Sequence, residues 1–414
     1  MPPPTPAEAR PAVSFVEDGL IVELLYDPKA RKTAFAVCRD GRTEIASQVR
    51  LPSGQTLVPY APDNNLIDRA CVLLPSQVES AASREQLLAD VQAYLHRYVD
   101  LSPRFERLAA HYILLSWVYD AFNDLPILRL QGEYGTGKTR ALVALGSVAY
   151  RGFFASGAST VSPIFHTLDR FGGTLVLDEA DLRYSDKTVE LVKILNNGTV
   201  RGLPVLRSLQ NRHKEFNPTA FNVFGPKIIA MRGRFRDRAL ESRCLTERMG
   251  GRPLRQDVPV QLPDALKEDA LHLRNSLLDY RMRNLGAVIV DASRAVEGIA
   301  PRLNQMALPL LSLMDDATDR EEFTALLREA SAALDAERES DPESRILAAL
   351  ERLESKGAPS IPLHAIAREA SADGQGGALY AREAGRYLRD GGIVLHKSHG
   401  SIVVQNRQYI DKVA

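Results

Sequence analysis

The sequence predicts an α/β fold: a parallel sheet covered by helices, with a small β-rich module ahead of it and a compact module of helices and a hairpin behind. Three observations predict it. Apolar strands and helical patterns alternate from Ile127 to Met231, as they do when a parallel sheet carries helices on its faces. The glycine-rich run GEYGTGKT stands between one such strand and a helix. Up to about Leu74, short runs of strand character are separated by Asp-Gly and Ser-Gly pairs, which mark tight turns.

Taken in order, residues 1–12 (MPPPTPAEARPA) are expected to be a disordered tail. Residues 13–80 hold the β-rich module, with turns at 18–19, 40–41 and 53–54. Ser83 reads as the cap of a helix through REQLLADVQAYLHRYV, and a second helix is expected from Pro103 to Phe122. The core, 81–255 with these helices, then runs ILRLQ, the glycine-rich loop, a helix, FFAS, a helix within 161–171, TLVLDEA, a helix over 187–196 and KIIAM. Between the last two, residues 202–224 read as two strands around a polar tip. A helical lid or linker, 256–340, includes helices over 263–285, 300–314 and 320–340. Three helices and a two-stranded hairpin turning at 398–400 make 341–414 a winged helix. No period of 20–50 residues repeats along the chain.

Composition bounds the function. A chain of 414 residues, 45% hydrophobic and 25% charged, predicts two or three globular domains. The longest apolar stretch, 109–119, is too short to span a bilayer and carries His111, so it reads as a buried helix. The N-terminus lacks the apolar centre of a signal peptide. Cys38, Cys71 and Cys244 have no metal-ligand spacing and fit a reduced, cytoplasmic protein with no membrane partner. Net charge is zero, yet 200–255 holds thirteen Lys and Arg against four Asp and Glu, and the balancing acid lies in 315–354. Charge separated in this way predicts one working surface.

Five motifs carry chemistry. Gly132, Glu133, Tyr134, Gly135, Thr136, Gly137, Lys138 and Thr139 fit G-x-x-x-x-G-K-[ST], with Arg140 following. The glycines allow a turn whose backbone N–H groups bind phosphate, Lys138 supplies charge at the β- and γ-phosphates, and Thr139 offers a hydroxyl to Mg2+. ATP with Mg2+ is the ligand this chemistry implies. Asp178, at the end of TLVLDEA, is the candidate for the magnesium shell, and Glu179 the candidate base for the attacking water. Arg212, His213 and Lys214 form the basic tip expected near 210–214, either touching nucleic-acid phosphates in a pore or standing as a solvated turn. In RFRDRALESRC, Arg243 and then Arg238 are candidates to reach the γ-phosphate of a neighbouring subunit, the alternative being surface ion pairs. In the C-terminal module Arg382, Arg386 and Arg389 share one helix face, with Tyr380 on the same helix and Lys397 and His399 on the wing. That face suits a DNA groove or a protein partner.

The segments PILRLQGEYGTGKTRAL, GGTLVLDEADL, VFGPKIIAM and ALESRCL, in this order and spacing, resemble the AAA+ helicases of phages, plasmids and mobile elements, relatives of minichromosome-maintenance and superfamily 3 helicases. The resemblance covers 101–250, a little over a third of the chain, and the winged helix in outline. It implies Walker A roles for Lys138 and Thr139, Walker B roles for Asp178 and Glu179, and a clamp-loader-like finger in Ser242-Arg243-Cys244. It also implies a DNA-gripping hairpin at 202–224. Where the resemblance calls for a polar sensor after KIIAM, this chain has Arg232-Gly233-Arg234, and Arg302 is the candidate for a second sensor in the lid. No primase-type metal motif precedes the core. The expectation is a homo-oligomeric ring, a hexamer, that hydrolyses ATP and moves on single- or double-stranded DNA in replication, with primase or other replication proteins as further partners. The rival reading is an ATP-controlled loader or binding switch, or a defence ATPase, that does not unwind DNA.

Overall fold

The computed structural model describes residues 9–81, 83–157, 159–178, 186–210, 216–235, 237–357, 359–372, 378–390, 392–398 and 401–405. It divides into two compact units, 1–327 and 328–414. The architecture is mixed α/β, with parallel and antiparallel sheets and a largely helical C-terminal region.

The first unit opens with β1 (Arg10–Ala12), so the expected tail of 1–12 gives way to a strand, while residues 1–8 lie outside the described residues. An antiparallel meander follows: β2 (Ser14–Glu17), β3 (Leu20–Asp27), β4 (Lys32–Arg39) and β5 (Arg42–Ala46). Its two Asp-Gly turns have positive φ at Asp18, Gly19, Asp40 and Gly41 (47°, 75°, 50° and 75°), the conformation that type I′ hairpins require. A second sheet pairs β1 with β7 (Thr56–Pro59) in parallel and β7 with β6 (Val49–Arg50) in antiparallel fashion. After the short α1 (Asn65–Asp68), Ser83 caps α2 (Arg84–Tyr98) by accepting from the Gln86 N–H at 3.1 Å. Helix α3 (Pro103–Trp117) is buried on nearly every face and ends before a 3-10 turn at Tyr119–Ala121, short of the expected Phe122.

The central sheet is fully parallel. Along the chain come β8 (Ile127–Gln131), α4 (Lys138–Val148), β9 (Phe153–Ala155), α5 (Val161–Phe171), β10 (Leu175–Leu177) and α6 (Asp186–Asn197). Then follow the hairpin β11 (Val205–Gln210) and β12 (Phe216–Phe221), which is a separate two-stranded sheet, β13 (Lys227–Met231), the one-turn α7 (Arg238–Glu241) and β14 (Cys244–Arg248). The strand order is β14-β8-β13-β10-β9, so β13 separates the strand before the glycine-rich loop from the strand before Asp178. Continuous apolar runs such as KIIAM suit this position, because both faces of the sheet are covered. Helices α8 (Ala265–Asn284) and α9 (Pro301–Leu313) pack back on this core, and α10 (Ala317–Ser340) contains the boundary between the units.

The β-rich module shares its core with the sheet: Val22, Leu24 and Phe35 belong to one apolar cluster with Phe153, Leu175 and Ile229. A buried charged joint fixes the same contact. Glu23 of β3 accepts from Arg281 of α8 at 2.8 Å, from the Tyr150 hydroxyl at 2.9 Å and from Arg151. Arg281 also forks onto Asp120 at 2.6–2.7 Å, and both guanidinium groups lie 4.6 Å from the Tyr150 ring centroid. Elsewhere the Lys227 ammonium, buried on β13, donates to the carbonyls of Gly198, Gly225 and Val223 at 2.6, 2.8 and 3.3 Å.

The second unit contains α11 (Pro342–Ser355), β15 (Ser360–Pro362), α12 (Leu363–Ser371), α13 (Ala381–Asp390), β16 (Leu395–Ser398) and β17 (Ser401–Gln405). The strands form a sheet in the order β15-β17-β16, both pairs antiparallel. Ile346, Leu350, Ile366, Leu388 and Val404 make its core. No helix among the described residues is long and apolar enough to cross a membrane.

Candidate functional site

The glycine-rich loop joins β8 to α4 at the carboxyl end of the parallel sheet. Gly135 and Gly137 take left-handed φ of 75° and 86°, which lets the chain wrap tightly before α4 begins. Gly132 has no room for a side chain: a Cβ there would lie 2.6 Å from the Met249 carbonyl oxygen. The Lys138 ammonium donates to the carbonyls of Gly132 and Glu133, at 2.6 Å each, and so sits within the curve of the loop. Thr136 Oγ1 donates to the Glu133 carbonyl at 2.8 Å.

The second motif meets the first. Thr139 Oγ1 donates to Asp178 Oδ2 at 2.8 Å, joining the first turn of α4 to the residue that follows β10. Glu179 lies outside the described residues. Among the described residues no three His, Cys, Asp or Glu side chains gather into a metal cluster. A hydroxyl and a carboxylate in hydrogen-bond contact at the start of a helix, beside a lysine, are a donor set that would suit phosphate together with a divalent cation.

Around this centre the structure adds groups that the motif alone does not reveal. A cleft of about 450 Å³ opens beside the loop, and Arg232, Arg234 and Arg248 line it with Gln131 and Met249. The Arg232 guanidinium stacks over the exposed ring of Tyr134, 4.5 Å from its centroid. The Met249–Gly250 exit of β14 presses on the loop, and a Cβ on Gly250 would meet the Thr136 methyl at 2.5 Å. Only the Gly-Gly pair at 250–251 hints at this contact in the sequence. Arg140 turns elsewhere: its guanidinium donates to the Pro259 and Val260 carbonyls at 2.5 and 2.6 Å, holding that segment against α4.

Arg243 lies at the opposite end of the sheet. Cys244 pairs with Ile127 and Arg248 with Gln131, so Arg243 precedes the level at which β8 begins. At about 3.3 Å per residue this is roughly 20 Å from the loop of its own chain. The guanidinium is buried and donates to Asn196 Oδ1 at 2.9 Å and to the Ala239 carbonyl. Burial, then the neighbouring Arg302, holds it below the usual arginine range. Arg302, read from sequence as a lid sensor, is therefore a neighbour of Arg243. Arg238 is exposed on α7, whose cap is Asp237. Beneath α7, Glu241 takes a buried fork from Arg129 of β8.

The strands expected at 202–224 pair from Val205–Phe221 to Gln210–Phe216. Arg212, His213 and Lys214, at the tip, lie outside the described residues. On α13 Arg382, Arg386 and Arg389 are exposed opposite the buried Ala384 and Leu388, and Tyr380 and Lys397 are exposed nearby in the chain. His399 lies outside the described residues.

No protein-family model matches this chain, and no curated protein matches it by sequence. Among solved structures it is distantly similar to the C-terminal region of NrS-1, at 12% identity over 93% of this chain and 96% of that one, with a TM-score of 0.36. It is similar also to the SCCmec type IV protein Cch, described as an active helicase, at 13% identity over 95% and 94% of the two chains, with a TM-score of 0.38. A third likeness is to a full-length MCM homologue from Methanopyrus kandleri, at 12% identity over 77% of this chain and 70% of that one, with a TM-score of 0.39.

Proposed function

We propose that this chain is an AAA+ ATPase of the ring-forming, helicase or translocase type, acting on DNA. The observation that carries the ATPase reading is the 2.8 Å contact between Thr139, in the first turn of α4, and Asp178, just after β10, beside Lys138 at the carboxyl end of the parallel sheet. In this reading Gly132 to Thr139 hold the phosphates of ATP, and Thr139 and Asp178 hold Mg2+. The cation, when bound, neutralises phosphate charge and supplies Lewis acidity. Glu179 takes the proton of the attacking water. Arg232 and Arg234 line the cleft beside the loop and add positive charge where a polar sensor would otherwise stand.

The distance of Arg243 from its own loop supports a role toward a second copy of the chain. In a ring of copies Arg243 would exchange its contacts with Asn196 and the Ala239 carbonyl for a neighbour's γ-phosphate, with Arg238 exposed beside it. Such fingers contribute about 10³–10⁵ in rate in other phosphoryl-transfer enzymes. The tip at 212–214 and the arginine face of α13 (Arg382, Arg386) are the proposed DNA contacts. The domain division follows the same reading: a β-rich module at 13–80, the ATPase core at 81–255, a helical segment at 256–340 and a winged helix at 341–414.

Steady-state ATP turnover with and without single- and double-stranded DNA tests the proposal, with Glu179→Gln as the inactive control. Stimulation by DNA that declines steeply with salt is the expected result, since phosphate contacts release counterions. Turnover that ignores DNA would favour the loader or switch reading. Absence of turnover in the wild-type chain would remove both.

A further inference from the structure

One cation of the hairpin β11–β12, Arg207, touches both helices that flank β10 in the chain. Arg207 stands opposite Thr219 within the hairpin ladder. Its Nη1 donates to Glu190 of α6 at 3.0 Å, and its guanidinium lies over the Phe165 ring of α5, 5.2 Å from the centroid. Its Nε is buried and finds no acceptor among the described residues. The other strand rests on the same helix: Phe221 of β12 packs against Phe165 and His166 of α5, with ring centroids 4.7 and 4.6 Å apart.

These contacts matter because of where the two helices attach. Helix α5 leads into β10 through Gly172 and Gly173, Asp178 follows that strand, and Glu190 lies twelve residues further along the chain. The backbone from Phe165 of α5 through β10 to Asp178 is described throughout, so a shift at Asp178 can reach the hairpin through α5, on whose Phe165 ring Arg207 lies. Packed elements move between discrete arrangements, so a polar link between two of them can set which arrangement is held.

We propose that Arg207 is a positioning residue that couples the nucleotide state at Asp178 to the hairpin. This rests on the ATPase reading given above. Physical coupling needs a contiguous link and an element that responds to both sites, and Arg207 is such a link between α5, α6 and β11.

The test compares wild type, Arg207→Ala and Arg207→Lys in three measurements: basal ATP turnover, the ratio of DNA-stimulated to basal turnover, and amide hydrogen exchange over residues 205–221 with and without ATPγS and Mg2+. Expected for Arg207→Ala are a near-wild-type basal rate and retained DNA binding by anisotropy. Its stimulation ratio should fall by about five-fold or more, and its hairpin should no longer respond to ATPγS. Arg207→Lys keeps a cation for Glu190 and should restore part of both signals. If wild type binds ATPγS and hairpin exchange is unmoved, the coupling is overturned while the ATPase reading stands. Wild-type responses in Arg207→Ala overturn it as well. If the wild-type chain neither binds nor hydrolyses ATP, the ATPase reading fails and the coupling fails with it.

Discussion

Gly250 is held against the glycine-rich loop so closely that its hydrogen stands where any other residue would place a carbon. Its φ is +84°, and an added Cβ would meet the Thr136 methyl at 2.5 Å. Gly250→Ala is therefore expected to displace the loop, raising KM for ATP by about ten-fold while costing only about 1 kcal/mol of stability. Paired turnover curves and denaturation curves check the two halves of that expectation. The loop was legible in the sequence because its glycines, Lys138 and Thr139 are contiguous and each has a local reason to be there. Its contact with Gly250 was not legible, since more than a hundred residues separate the partners and only folding brings β14 beside β8. Arg140 illustrates the same limit: it adjoins the motif in sequence, but its guanidinium is engaged by Pro259 and Val260.

At the scale of elements, the joint around Glu23 determines how the β-rich module is attached. Glu23 is 2% exposed, Arg151 3% and Arg281 1%, so these charges depend on one another instead of on water. Glu23→Leu would leave two buried guanidinium groups facing an apolar side chain and is expected to cost about 3–5 kcal/mol, read as a shift in the urea midpoint. Adding Arg151→Met to it should recover part of that loss, because Arg151 is then no longer an uncompensated buried charge while Arg281 keeps its fork onto Asp120. Helix caps and hairpin turns, such as Ser83 and the two Asp-Gly pairs, could be read directly because their causes are local. Strand β1 could not: residues 10–12 (Arg-Pro-Ala) continue the expected tail in sequence and become a strand only beside β7, forty-seven residues away. The salt-bridged joint was equally silent, since Glu23, Arg151 and Arg281 come from three distant segments.

For the molecule as a whole, strand order and the sharing of one core by module and sheet were outside the reach of pattern reading, whereas the alternation that made the sheet parallel was plain from Ile127 onward. The stability of the whole should carry the mark of Lys227. Burial lowers its ammonium from 10.5 to about 7, so between those values the unfolded chain binds a proton that the folded chain gives up. Stability should therefore rise with pH from 7 to 9, by about 2 kcal/mol at most, and fall away as pH drops toward 7. Above pH 9 the rise is offset, because the buried Cys244 thiol is pushed up to about 12 and resists the ionisation it would undergo when unfolded. Denaturation midpoints at pH 7, 8 and 9 should show this slope in wild type and lose it in Lys227→Met. Strand β14 has a wider consequence. It begins beside Arg243 and ends where Met249 and Gly250 bear on the chain's own loop, so one short rigid rod has a proposed catalytic tip at one end and a phosphate cradle at the other. In a closed ring such rods would wire the sites in series, like lamps on a single circuit. Doping wild-type chains with Glu179→Gln chains should then extinguish turnover faster than the fraction of dead subunits added.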